Sequence, residues 1–120
     1  MKSQKVKNVS YFCKSEFELK DGKKDVVILP QNAEIVSVNL EVTKGVTGGS
    51  VSIGVDEEAS YFLNNIATTT AGFNQSSKWL TTKKQTQITA SITGITSNTN
   101  GAKGILRVVY FLPSEILVEY

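Results

Sequence analysis

Val36-Ser37-Val38-Asn39-Leu40-Glu41-Val42 alternates strictly between apolar and polar residues, and this period of two decides the class of fold. Successive side chains of an extended chain point to opposite faces. Val36, Val38, Leu40 and Val42 therefore share one face, and Ser37, Asn39 and Glu41 share the other. One face is expected against a core and the other in water, as in an antiparallel sheet. The same period appears on both sides of this stretch. Upstream, Val9, Tyr11, Cys13, Phe17 and Leu19 occupy odd positions, with Lys14, Glu16, Glu18 and Lys20 between them. Ser15 interrupts that series and suggests a bend or a small bulge. Asp21-Gly22 has hairpin-turn chemistry, so the chain is expected to return as a second strand over Asp25-Val26-Val27-Ile28-Leu29, ended by Pro30.

Downstream, Val51, Ile53 and Val55 alternate beyond a glycine-rich loop at residues 45–49, and Ile88, Ala90 and Ile92 alternate with threonine, serine and glutamine. Residues 105–112 are almost continuously apolar, the pattern of a central strand covered on both faces. Pro113 is expected to stop it, leaving Ile116, Val118 and Tyr120 as a last edge strand or a docking tail. Alternation fails between Asp56 and Lys78. Residues 57–66 read as a helical turn or a short irregular strand, and residues 68–77 and 94–104 as long polar loops. The sum is an all-β domain of about eight strands. An antiparallel β-sandwich is expected, jelly-roll-like rather than immunoglobulin-like, since one cysteine cannot build an immunoglobulin framework.

The chain has 120 residues, the size of one domain, and a globular balance of apolar and charged residues. Lys2, Lys5 and Lys7 precede the first acidic residue, Glu16. Setting them aside leaves ten basic residues against eleven acidic ones. The expected organisation is therefore a solvated basic arm at 1–8 and one sandwich domain at 9–120. A near-neutral body offers no nucleic-acid stripe. No apolar run is long enough to span a membrane as a helix, and no apolar segment follows the basic start as in an ordinary signal peptide. The matches to the glycosylation pattern at Asn8 and Asn74 are therefore read as chance.

Histidine is absent, which removes the commonest general base, metal ligand and neutral-pH switch. Cys13, the single cysteine, excludes an internal disulfide and reads as a buried thiol. The run Asp56-Glu57-Glu58 lacks the ligand spacing of a calcium loop and reads as a solvated charge cluster. Glu34, Glu41 and Asp56 show no spacing that singles out a catalytic carboxylate pair. Residues 45–50 lack the ending and the helix of a phosphate loop, and read as a turn. No cofactor or metal is implied. Tyr61, Phe62, Phe73 and Trp79 concentrate aromatic area in the least regular third of the chain, where they either plug the open end of the sandwich or anchor a partner.

Three stretches carry a family resemblance: Ile28-Leu29-Pro30-Gln31-Asn32-Ala33-Glu34-Ile35-Val36-Ser37-Val38, Val51-Ser52-Ile53-Gly54-Val55-Asp56, and Gly104-Ile105-Leu106-Arg107-Val108-Val109-Tyr110-Phe111-Leu112-Pro113. The region they span resembles the small capsid-decorating, or cement, proteins of tailed bacteriophages. That resemblance implies a non-enzymatic virion protein on the outer capsid surface. It would be a homo-oligomer, a trimer in the leading reading, that bridges and reinforces major capsid protein subunits. The contacts expected are Lys2, Lys5 and Lys7 of the arm, Tyr61, Phe62, Phe73 and Trp79, and Ile116, Val118 and Tyr120 of the tail. The alternative is a tail-fibre tip or other head-surface adhesin that binds a host-surface glycan or receptor through Tyr61, Phe73 or Trp79.

Overall fold

The computed structural model describes the backbone of residues 2–119 and the side chains of residues 9–112. Nine strands follow in order: β1 (Lys2–Glu18), β2 (Gly22–Leu29), β3 (Glu34–Val42), β4 (Thr47–Val55), β5 (Glu58–Ala67), β6 (Gly72–Gln75), β7 (Leu80–Thr81), β8 (Thr86–Ser97) and β9 (Lys103–Glu119). The antiparallel pairings are nested. β1 pairs with β9, β2 with β8, β3 with both β6 and β7, and β4 with β5. The chain is thus one long hairpin whose tip is the β4–β5 turn, rolled up so that β9 also meets β3 and β8 also meets β4. The result is two facing sheets, β1-β9-β3-β6 with β7 beside β3, and β2-β8-β4-β5. This is a jelly roll. β6 and β7 are two halves of one interrupted edge strand, which reconciles nine strands with about eight expected.

The core lies between the sheets. Phe17, Ile35, Val38, Leu40, Val42, Leu106 and Val108 meet Val27, Leu29, Val51, Ile53, Ile88 and Ile92 there, all buried. The stretch that decided the class is itself irregular. A bulge falls between Ile35 and Ser37, so Val36 is the extra residue and Ile35 takes the buried position expected of Val36. β2 has a bulge of the same kind at Val26, and β5 has two register shifts, which is why Phe62 and Leu63 are both buried although they are adjacent. The β1–β9 ladder has none over its seventeen pairs, so Ser15 marks no bulge.

Two glycines are required by close approaches. A Cβ on Gly54 would meet the backbone of Glu58 and Ala59, because the bulged start of β5 folds over it. A Cβ on Gly104 would meet the ring of Phe17, its register partner on β1. Thr82 fastens the β7 end. Its buried hydroxyl accepts from the Ala33 N–H at 2.8 Å and donates to the Pro30 carbonyl at 2.7 Å.

Three expectations fail on pairing. Asp21-Gly22 does not close a hairpin, because β1 and β2 lie in different sheets and the turn carries the chain across the core. Of the two readings of residues 57–66 the irregular strand holds, as a ten-residue strand, whereas β8 runs on through Ser97 into the supposed loop. Pro113 does not stop β9, since proline is tolerated at a strand edge, and there it pairs opposite Asn8. β1 runs from Lys2 to Glu18, so residues 2–8 are extended and paired with β9.

Beyond Phe111, β9 has lost β3 as a neighbour and pairs with β1 alone. The sandwich therefore carries a two-stranded ribbon made of residues 2–9 and 112–119. The molecule measures 65 × 24 × 19 Å. A seventeen-residue ladder, about 56 Å long at roughly 3.3 Å per residue, accounts for most of the long axis.

Candidate functional site

The aromatic residues expected to act together fall into two places. Phe62 points inward from β5 and is buried, while Tyr61 beside it is half-buried, the two rings meeting edge to face at 5.0 Å. The Tyr61 hydroxyl donates to the Trp79 carbonyl at 2.8 Å, and the Lys78 ammonium stands 5.4 Å from the Tyr61 ring centroid. Trp79, in the break between β6 and β7, is 63% exposed. Phe62 thus belongs to the core and Trp79 to the surface. An open cleft of about 420 Å³ lies by β7, lined by Val55, Leu80, Thr82 and Thr86 and by the ion-paired Glu57 and Lys84.

Phe73 belongs to the outer face of the β1-β9-β3-β6 sheet, 70% exposed. Its register partner is Glu41 on β3. Arg107 on β9 binds the Glu41 carboxylate at 2.8 Å and holds its guanidinium 5.9 Å from the Phe73 ring. Beside this cluster the Asn39 amide donates to Gln75, which donates to the Ser37 hydroxyl at 3.0 Å, and Asn39 Oδ1 is buried without a partner.

A third patch escaped the sequence reading. Phe12 on β1 is 61% exposed, and Val9 and Tyr11 are also exposed, all where the ribbon leaves the sandwich. Tyr11 stacks on the buried Tyr110 at 5.2 Å. The signal for Phe12 was present: it is an apolar residue at an even position of a strand whose odd positions are apolar. Lys2, Lys5, Lys7, Ile116 and Val118 have side chains outside the described residues, as has the whole of Tyr120, though β1 and β9 place the first five in the ribbon ladder. Cys13 is half-buried rather than fully enclosed.

The candidate chemistry stays dispersed. Asp56 pairs with Lys23 at 3.4 Å and Glu57 with Lys84 at 3.2 Å. Glu34 and Glu41 stand at opposite ends of β3, seven residues or roughly 23 Å apart. Among the described residues no three acidic or cysteine side chains are grouped as metal ligands would be. Tyr110 has a perturbed ionisation, its hydroxyl pushed above the usual 10.0 by burial first, then by Cys13 and Tyr11. What the surface presents is a set of exposed aromatic patches on a rigid frame.

No protein-family model matches the chain, and no curated protein matches it. Solved structures do. The chain is 37% identical to a chain in the acid-stable capsid of the Helicobacter pylori bacteriophage KHP30, over 100% of both chains, with a TM-score of 0.79. A chain of the capsid asymmetric unit of the cyanophage Pam1 has the same fold at 18% identity, with 93% of this chain and 86% of that one covered and a TM-score of 0.60. With identity at that level along the whole KHP30 chain, this jelly roll is a virion structural protein and belongs to the family of that phage capsid component.

Proposed function

We propose that the protein decorates the outer surface of a phage capsid as a homo-oligomer, a trimer, and reinforces the shell by bridging major capsid protein subunits without any enzymatic step. The observation that carries this reading is the exposure of Phe12 and Phe73 on the outer face of the β1-β9-β3-β6 sheet and of Trp79 at its β6–β7 edge, in a capsid family. An enzyme gathers its groups in one pocket, whereas a staple needs anchors on more than one side. Exposed aromatic anchors bury large area at little entropic cost, and several weak joints act together when one rigid body holds them. No nucleic acid takes part in this reading.

The test is co-sedimentation of the purified protein with shells lacking it, followed by mechanical or thermal challenge. Saturable binding that raises the disruption temperature is the expected result. Shells that neither bind the protein nor gain resistance would sink the decoration reading. A second reading, attachment to a host-surface glycan, is favoured by one observation: Trp79 is free while Tyr61 and Lys78 stand beside it. Glycan-array binding that disappears in Trp79→Ala, with oligomeric mass unchanged, would select it.

A further inference from the structure

A β-strand at a sheet edge presents unpaired N–H and C=O groups, and folded chains blunt such edges with bulges, charges or short strands. Three of the four edges here are blunted in this way. β2 has its bulge at Val26, β5 has two register shifts, and the β6–β7 edge is broken into four residues and two. β1 is the exception. Among the described residues it has β9 as its sole strand partner, without a register shift, over seventeen residues. Lys14, Glu16 and Glu18 charge its inner end, but Val9 to Phe12 carries no charge and exposes Val9, Tyr11 and Phe12. A second open edge lies across the ribbon, where β9 beyond Phe111 has no neighbour but β1. A two-stranded ribbon standing alone is at best marginally stable in water.

The geometry points to a ring of identical copies in which the open β1 edge of each ribbon pairs with the open β9 edge of the next. Around an axis parallel to the ribbons, β9 of one copy runs antiparallel to β1 of its neighbour, because β1 and β9 are antiparallel within each copy. The charges support a second copy as the occupant. The ribbon half of β1 has Lys2, Lys5 and Lys7 and no acid, while that of β9 has Glu115 and Glu119 and no base. In the ring every strand lies between two of opposite charge. Pairing β1 with β1 of another copy would leave the β9 edge open, whereas the ring closes both edges at once. Three copies supply six strands, within the roughly five to eight of small closed barrels. This inference rests on the homo-oligomer of the proposed function and specifies its joint.

The test uses the full chain free in solution. Light scattering should give three times the 13.1 kDa of one chain. Hydrogen exchange should show every amide of residues 2–9 and 114–119 protected, where an open edge leaves alternate amides exchanging freely. Glu115→Lys with Glu119→Lys, which leaves every ribbon strand basic, should reduce the mass threefold while the melting transition of the sandwich persists. A single-chain or two-chain mass for the unmodified protein would overturn the ring. So would a three-chain mass with alternate β1 amides unprotected, or protection that arises only when capsid shells are added. Decoration fails separately: a ring that ignores shells leaves the joint standing, and a single chain that still binds shells leaves decoration standing.

Discussion

Gly54 shows how one residue constrains this sandwich. Its missing side chain is where β5 crosses over β4, with the Glu58 carbonyl and the Ala59 backbone occupying the space a Cβ would need. Gly54→Ala must push backbone rather than a flexible side chain, and a loss of about 1–3 kcal/mol, read from the urea midpoint, is expected. Thr82→Val keeps the shape but strands the buried Ala33 N–H and removes the donor to the part-buried Pro30 carbonyl, for a loss of about 1–3 kcal/mol by the same measurement. Tyr110 sets a pH dependence. Its folded hydroxyl is held protonated to a higher pH than the unfolded one by burial, Cys13 and Tyr11. The unfolded chain therefore loses that proton first. The Tyr110 contribution is complete below pH 10 and is lost as pH rises from there through the raised folded value. Denaturation curves of the native chain and Tyr110→Phe should run parallel at lower pH and converge or cross above about 10. With no histidine in the chain, no imidazole changes charge between about pH 5 and 8.

At the scale of the element, β3 carries the clearest lesson. The alternation over residues 36–42 identified a strand correctly, yet the bulge puts Ile35 and Val38 on the core face with two residues between them. Deleting Val36 should leave a regular ladder with Ile35, Val38, Leu40 and Val42 still inward. Deleting Asn39 should turn one half of the strand inside out, because a one-residue slip exchanges the faces. Thermal unfolding by circular dichroism checks this: a cooperative transition for the Val36 deletion and none for the Asn39 deletion. The ribbon belongs to this scale too. Pro113 reads as a stop in a central strand, but it sits beyond the last β3 pair, where β9 has an open edge and a missing donor costs nothing in the ladder. Phe12 was passed over for a different reason. It lies on the outer face of β1, opposite Val109, where the alternation calls for a polar residue, and its apolar side chain breaks the pattern rather than following it.

For the whole molecule, the sandwich acts as a stiff body that displays Phe12, Phe73 and Trp79. Each is exposed and none packs into the two-sheet core. Changing each in turn to serine should alter the unfolding free energy of the isolated chain by no more than about 0.5 kcal/mol. The same substitutions should weaken shell binding measurably, and retained binding in all three would place the contact surface elsewhere. Arg107 couples one of these residues to the frame, since it holds both the Glu41 carboxylate and the Phe73 ring.

The amino-acid sequence by itself determined that the chain is all-β, that it forms a sandwich, and that most of its core comes from the alternating valines, isoleucines and leucines. Those features follow from the period of side-chain direction, which is local. It also marked residues 61–79 as the region where aromatic surface collects, though not that Phe62 is buried while Trp79 is free. Only the tertiary structure decided the partners. Asp21-Gly22 has the chemistry of a turn whether the next strand returns beside β1 or crosses to the other sheet, and β1 finds its partner in β9 at the far end of the chain. Pairing at that separation is fixed by which rolled arrangement closes the core. The open edge of β1, the bulge at Val36 and the ribbon beyond Phe111 exist only once that arrangement is made.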